Sequence, residues 1–140
     1  MRFASPSHHT ATLASALLLF FSASACDSGG GEEDTTPPSA PSALAGTSED
    51  GAVALEWNAP SSGDLDGHRV YRSESSFSNA GAATLIGGDG LVSGATYTDD
   101  GAANGTTYFY RVTAVDEAGN ESDLSGAVEK TPFPDPPDDP

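Results

Sequence analysis

Short stretches of alternating apolar and polar residues, separated by turn-forming residues, constrain the fold of this chain most. The clearest stretch is residues 108–115 (YFYRVTAV), and a second is residues 53–57 (VALEW), in which Val53, Leu55 and Trp57 share one face. Alternation with a period of two is typical of β-strands that bury one face. The chain also has 16 glycines and 10 prolines and lacks long helical windows. The sequence therefore predicts an all-β fold.

Further strands are predicted where the alternation recurs between turn signals. They are HRVYRS at residues 68–73, TLI at 84–86, ATYT at 95–98 and LSGAVEKT at 124–131. In the first of these, His68, Val70 and Arg72 fall on one face, and Arg69 and Tyr71 fall on the other. Because turn-rich loops such as SSGDLDG and DEAGNES separate the strands, we expect two sheets packed as a sandwich.

The first 25 residues predict a secretory signal peptide outside the folded part. Arg2 is the only lysine or arginine before an apolar run at residues 13–25 (LASALLLFFSASA), and no acid occurs before Asp27. A basic start, an apolar middle and small residues at the end form the layout of such signals. A run of about 13 residues spans roughly 20 Å as a helix, which is short for a ~30 Å bilayer core. We therefore expect export, and the pair His8 and His9 is no metal-site candidate.

The single cysteine, Cys26, lies between this apolar run and an acidic segment. Residues 27–36 (DSGGGEEDTT) combine charge with three consecutive glycines, a composition typical of a disordered tether. Such a segment cannot bury a thiol or hold a histidine beside a catalytic one. Covalent attachment, a bridge to another molecule, or a free thiol left by ordinary signal cleavage remain open for Cys26.

Residues 23–26 (ASAC) resemble the lipobox of bacterial lipoproteins, with Ala23 where that motif usually carries leucine. The resemblance implies that a diacylglycerol is attached to the sulfur of Cys26, and that cleavage before this residue leaves an acylated amino terminus. Several acyl chains such as palmitate, at about 0.8 kcal/mol per buried CH₂, give stable anchoring where one chain does not. We therefore expect a lipid anchor that holds the protein at a membrane of a bacterial cell envelope.

The charge of the chain limits its other partners. The 21 acidic residues outnumber the 5 basic residues, and the formal net charge is −16. A field of that sign repels nucleic acid and anionic membrane surfaces. The expected partner, apart from the lipid anchor, is a protein or a polysaccharide of unknown identity.

Several motifs resemble, in order, a fibronectin type III domain of the bacterial extracellular kind. They are Pro41-x-x-Leu44, Leu55-x-Trp57 followed by Pro60, Val70-Tyr71-Arg72-Ser73, Tyr97-x-Asp99, Asn104-Gly105-Thr106-Thr107-Tyr108, and Gly119-Asn120-Glu121-Ser122. The resemblance covers residues 37–131 and implies a seven-stranded immunoglobulin-like β-sandwich. The signal at 1–25 and the tether at 26–36 precede this domain. The proline- and aspartate-rich stretch at 132–140 follows it and is expected to be disordered.

The resemblance also assigns structural roles to three residues. It implies that Trp57 is the core tryptophan of the second strand, and that the hydroxyl of Tyr108 bonds back to upstream backbone. His68 stands where the family usually carries an aromatic residue, so we expect it to be a partly buried strand residue. We expect a ligand to make contact at the outward face of the penultimate strand, with Phe109 and Val115, and at the loops around Asp64 and Asn120.

Residue types needed for catalysis do not occur together in the predicted domain. His68 is its only histidine and it has no cysteine, so a catalytic triad or a histidine-containing zinc site lacks partners. Acids cluster at Asp64/Asp66, at Asp99/Asp100, and at Asp116/Glu117 with Asp123. The loop with Asp64 and Asp66 lacks the remaining ligands of an EF-hand calcium loop, and we interpret the acid clusters as solvated turns. We predict no catalytic, metal-binding or cofactor-binding residue and no enzymatic activity.

These features together predict a non-catalytic cell-envelope lipoprotein. It would display one fibronectin type III-like domain, towards the periplasm or the exterior, as a binding or spacer module for protein or polysaccharide. The alternative is an accessory domain or fragment of an exported enzyme that degrades glycans or peptides, which the proline- and aspartate-rich tail favours.

Overall fold

The computed structural model describes residues 32–135, which form seven strands in two antiparallel sheets. The strands are β1 (Ser42–Glu49), β2 (Ala52–Asn58), β3 (Leu65–Ser73), β4 (Thr84–Leu85), β5 (Thr96–Asp99), β6 (Tyr108–Asp116) and β7 (Val128–Lys130). Sheet A has the strand order β1-β2-β5, and sheet B has the order β4-β3-β6-β7. The predicted all-β sandwich of seven strands is therefore confirmed. The predicted signal segment and Cys26 lie outside the described residues.

The apolar faces of the central strands meet between the two sheets. The core consists of apolar side chains from both sheets and one loop: Val53, Leu55, Trp57, Val70, Ala102, Tyr108, Tyr110 and Val112. Removing a large apolar side chain from water contributes about 1.5–3 kcal/mol to folding. Trp57 is 5% exposed, which confirms its predicted place in the core. No helix in this part of the chain is long and apolar enough to cross a membrane.

A partly buried ion pair joins the two sheets. Asp99 ends β5 in sheet A and is 4% exposed, whereas Arg72 and Tyr110 belong to β3 and β6 of sheet B. Arg72 Nη1 donates to the two carboxylate oxygens of Asp99 at 3.1 and 2.8 Å. The Tyr110 hydroxyl donates to Oδ2 at 2.9 Å, and the Gly101 amide donates to Oδ1 at 3.2 Å. One charged and two neutral donors therefore satisfy this carboxylate inside the protein.

The ion pair also sets the protonation of its neighbours. Burial, reinforced by the Asp99 carboxylate, raises the pKa of Tyr110, so its hydroxyl remains a donor. Burial lowers the pKa of Arg72, but the hydrogen bonds and charge of Asp99 outweigh this effect and raise it overall. The Arg72 guanidinium lies 4.8 Å from the ring centroid of Tyr108. The Tyr108 hydroxyl in turn accepts the backbone N–H of Ala103 at 3.2 Å, as the family resemblance predicted.

The outward face of sheet B is covered at Val115, contrary to the expectation that this residue is open to a ligand, whereas Phe109 on the same face is half-buried. Val115 is 3% exposed. Phe77, from the loop after β3, is buried, and its ring lies 5.8 Å from the guanidinium of Arg111. The chain after β6 also turns back, and Glu121 pairs with Val115 through an isolated antiparallel bridge. The expectation for Val115 was wrong because segments without strand periodicity form this cover.

The last predicted strand begins later than its sequence pattern indicated. Leu124 lies outside any strand, and β7 starts at Val128. The backbone N–H of Val112 donates to the hydroxyl of Ser125 at 2.9 Å, and that of Ala114 donates to the hydroxyl of Ser122 at 2.9 Å. Because serine side chains accept these bonds in place of backbone carbonyls, a regular ladder does not form there.

His68 is fully buried, at 2% exposure, which is deeper than the sequence predicted. Its ring packs edge-on against Trp57 with the ring centroids 5.3 Å apart. Its backbone exchanges two hydrogen bonds of 2.9 Å with Val92, which attaches the connection between β4 and β5 to β3. Neither ring nitrogen has a hydrogen-bond partner within residues 32–135. Burial lowers the pKa of His68, so the folded domain holds a neutral imidazole.

Protonation of His68 should therefore weaken the fold in mild acid. The folded domain binds this proton less readily than the unfolded chain does, so stability is lost as pH falls below about 6.5. The variant His68→Phe keeps an aromatic ring and removes the titration. Urea unfolding at about pH 7.5 and about pH 5 should show a larger loss for the wild type than for His68→Phe. Equal losses in the two proteins would contradict this account.

Removal of the Asp99 carboxylate should destabilise the domain strongly. Asp99→Ala leaves the Arg72 charge and the Tyr110 hydroxyl without their acceptor, which should cost about 3 kcal/mol. Tyr110→Phe removes one donor of several and should cost about 1 kcal/mol. The matched control Asp100→Ala removes an exposed neighbouring acid and should stay within about 0.5 kcal/mol of wild type. Denaturant unfolding measures all three, and a cost for Asp99→Ala no larger than the control's would exclude this role.

Candidate functional site

Glu121 is the centre of a hydrogen-bonded group on the outward side of sheet B. Its Oε1 accepts the Tyr71 hydroxyl at 2.6 Å and the Thr113 hydroxyl at 2.7 Å, and its Oε2 pairs with Arg69. Burial raises the pKa of Glu121, but the bonds from Tyr71 and Thr113 and the charge of Arg69 hold it below its ordinary value. Glu121 is therefore an ionised carboxylate whose position is fixed by three partners.

An open groove of about 340 Å³ lies beside this group. Six of the eight residues that form its walls are polar; the eight are Ser78, Asn79, Ala80, Thr113, Glu121, Ser122, Asp123 and Leu124. Hydroxyl, amide and carboxylate groups suit a ligand that is itself rich in hydrogen-bonding groups. The sequence pointed to the loop around Asn120 but not to residues 78–80. That wall comes from the loop after β3, and no motif marks it.

Three aspartates converge at the ends of β3 and β6. Asp34, Asp64 and Asp116 each place one carboxylate oxygen within 4.8 Å of the other two. The antiparallel pairing of β3 with β6 sets Leu65 opposite Asp116, which brings the neighbouring Asp64 to the same edge. Asp34 joins them because its backbone carbonyl accepts the side-chain amide of Asn120 at 2.8 Å. The sequence grouped Asp64 with Asp66, and Asp116 with Glu117, and it did not foresee this set.

Hydrogen bonds within the protein account for the placement of these aspartates. Asn120 donates its backbone N–H to Asp116 Oδ1 at 2.8 Å and its side-chain amide to Oδ2 at 2.9 Å. The Ser62 hydroxyl donates to Asp64 and lowers the pKa of that carboxyl. Calcium requires six to eight oxygen ligands, so these three carboxylates would form part of a cation site. They are the described residues best placed for one.

The outward face of sheet A is the second open surface. A hollow of about 210 Å³ is lined by residues of β1, β2 and β5, which are Thr47, Ala54, Leu55, Glu56, Thr96 and Thr98. Strand register brings them together, because Ala54 pairs with both Thr47 and Thr98, and Glu56 pairs with Thr96. The alternation predicts outward side chains on each strand. It does not predict that short side chains from three strands lie side by side.

The groups best suited to acid–base chemistry are engaged inside the sandwich. His68 faces Trp57 in the core, so its imidazole cannot reach a substrate from solvent. Asp99 is held by Arg72 and Tyr110. The predicted lipidation residue Cys26 lies outside the described part of the chain, so its modification stays a prediction.

Comparison with known proteins supports the same architecture. A family model described as "Fibronectin type III domain SaeA third domain" matches residues 41–132. Poly(3-hydroxybutyrate) depolymerase of Ralstonia pickettii is 42% identical over 94 residues, which cover 66% of this chain and 16% of that enzyme. Amylopullulanase of Thermoanaerobacterium saccharolyticum is 38% identical over 85 residues, which cover 61% of this chain and 6% of that enzyme. The chain therefore spans a small fraction of these curated relatives.

Among solved structures, an Fn3-like protein from Clostridium thermocellum superposes with a TM-score of 0.55 and 28% sequence identity. The match covers 72% of this chain and 98% of that one. The family model likewise takes in both sheets, from the residue before β1 to Pro132 just after β7. The chain belongs to the fibronectin type III domain family, as its motifs predicted.

Proposed function

We propose that this protein is a non-catalytic module of the bacterial cell envelope that a lipid on Cys26 attaches to a membrane. The observation that carries the proposal is the extent of the family match. It takes up residues 41–132 of the described 32–135, which leaves that part of the chain no room for a catalytic domain. Within the match, the one histidine and the carboxylate of Asp99 serve the fold.

The tether and the charge support display of the domain away from the membrane. The glycine-rich composition of residues 27–33 is typical of a flexible linker, and a coil of about seven such residues has ends roughly 15 Å apart, which exceeds the ~8 Å Debye length at physiological salt. Cleavage before Cys26 removes Arg2 and keeps every acid, so 4 bases against 21 acids give a net charge of −17. A domain of that sign is repelled by anionic lipid.

The two open surfaces support contact with a polymer. The groove beside Glu121 offers hydrogen-bonding groups, and the hollow on sheet A offers a face of short side chains. The curated relatives named above are an amylopullulanase and a depolymerase, in which the matching segment is a small part. We therefore propose that the domain binds a polysaccharide or another polymer, or spaces a partner from the membrane.

The alternative is that the domain is an accessory part of an exported polymer-degrading enzyme. The specific observation in its favour is that both named relatives are enzymes of which this chain spans 6% and 16%. In that case the domain would serve a catalytic domain of the same longer chain.

The anchor is tested by the intact mass of the protein extracted from membranes of cells that produce it. We expect a mass that corresponds to residues 26–140 with diacylglycerol and a further acyl chain. The Cys26→Ser variant should leave the membrane fraction, because it lacks the sulfur that forms the thioether. An unmodified thiol at Cys26 would refute the anchor. A mature chain longer than this sequence would favour the enzyme alternative.

Binding and spacing are distinguished by retention of the purified domain on insoluble glucans and on poly(3-hydroxybutyrate) particles. A binding module should be retained, and one of two exposed substitutions should lower retention at least about tenfold, or 1.4 kcal/mol. Asp123→Arg tests the groove, and Thr98→Arg tests the sheet A hollow with the same new side chain. Each variant serves as the control for the other. No retention of the wild type would leave only the spacer role, and release of soluble product would disprove the non-catalytic assignment.

A further inference from the structure

Asn104 joins two loops at one end of the sandwich. It lies in the connection between β5 and β6, and its side chain reaches the turn between β1 and β2. Its Oδ1 accepts the backbone N–H of Gly51 at 2.8 Å, and its Nδ2 donates to Asp50 Oδ1 at 2.6 Å. The following residue, Gly105, donates its backbone N–H to the carbonyl of Pro132 at 2.8 Å. Both residues are thus bonded to distant parts of the chain.

The pair Asn104-Gly105 is also chemically reactive. The backbone nitrogen of Gly105 can attack the side-chain carbon Cγ of Asn104, because glycine has no side chain to obstruct the approach. The new N–Cγ bond closes a succinimide, the Cγ–Nδ2 bond breaks, and the amide leaves as ammonia with the proton of the backbone nitrogen. Water then opens the ring to aspartate or isoaspartate. One water is consumed and one ammonia is released, and no oxidant is needed.

We propose that Asn104 is a latent deamidation site that the folded domain holds unreactive. Attack requires Cγ of Asn104 to approach the Gly105 nitrogen, so the side chain must first leave Asp50 and Gly51. The hydrogen bond from the Gly105 N–H to the Pro132 carbonyl must also break. The Gly105 backbone is in addition held at a φ of +82° in the folded domain. The reaction therefore proceeds from a locally opened state, and its rate follows the population of that state.

The product would keep the loops apart. Aspartate at position 104 lacks the Nδ2 donor and faces the carboxylate of Asp50, so attraction becomes repulsion. Isoaspartate also lengthens the backbone by one carbon within the turn. Deamidation at this site would therefore mark, irreversibly, those molecules that react while this end of the domain is open.

The sequence provides internal references for the measurement. The other three asparagines are followed by residues with side chains, in the pairs Asn58-Ala59, Asn79-Ala80 and Asn120-Glu121. Steric obstruction at the attacking nitrogen should make these pairs slower in the unfolded chain. A difference between Asn104 in the folded and the unfolded protein therefore reports the fold, and the other sites report general chemical ageing.

The test compares deamidation of the full chain in native buffer and in concentrated urea, at mildly alkaline pH. Peptide mass mapping locates the product and measures its amount as the fraction of the Asn104 peptide that is deamidated. Asn104 should react at least about tenfold more slowly in the native protein, since reaction requires local opening. The variant Asp50→Ala should react about fivefold faster than wild type in native buffer, since it loses one hydrogen bond that holds the amide.

Glu49→Ala is the matched control, because it removes the same charge beside this turn and leaves both bonds of Asn104 in place. It should react at the wild-type rate. Equal rates in native buffer and in urea would overturn the proposal, as would an Asp50→Ala rate equal to that of Glu49→Ala. If circular dichroism shows that Asp50→Ala is unfolded, the comparison of native and urea-treated wild type decides alone.

Discussion

The buried carboxylate of Asp99 is the point through which the two sheets are joined. It ends a four-residue edge strand of sheet A, and its partners Arg72 and Tyr110 come from the two central strands of sheet B. Apolar contacts between the sheets are non-directional, whereas hydrogen bonds require a defined distance and angle between their partners. Replacing such a pair by apolar residues often costs little stability. We therefore infer that the pair specifies how the sheets are set against each other.

The inner faces of β2, β3 and β6 were predictable because strand periodicity is local. Val53, Leu55 and Trp57 alternate with polar residues, so three consecutive inward positions follow from five residues of sequence. Burial of Val115 depends instead on Glu121 and on the loop after β3, which carry no period. The convergence of Asp34 with Asp64 depends on pairing between distant segments, which alternation does not specify. The alternation of apolar and polar residues therefore could not predict which residues line the two open surfaces.

His68 shows how a fold tolerates a local conflict between sequence and structure. His68 occupies a position where the family usually carries an aromatic residue. In the structure its imidazole packs against Trp57, as an aromatic ring would. The cost falls on the ring nitrogens, which lack hydrogen-bond partners within residues 32–135. Because burial keeps the ring neutral, the cost stays small at neutral pH and grows in acid. Sequence alone placed this side chain on the inward face but understated its burial.

The distribution of charge limits which partners the domain can bind. Three of the four bases in the described residues serve the fold: Arg69 binds Glu121, Arg72 binds Asp99, and Arg111 donates to the Ser125 carbonyl. Among the described residues only Lys130 remains to offset the exposed acids, so the surface field is negative. The negative field neither attracts nor repels a neutral polysaccharide. It would attract a basic protein, and added salt would weaken that attraction and release the protein. Salt-insensitive retention would therefore identify hydrogen bonding at an open surface as the source of affinity, because steering by charge cannot survive screening.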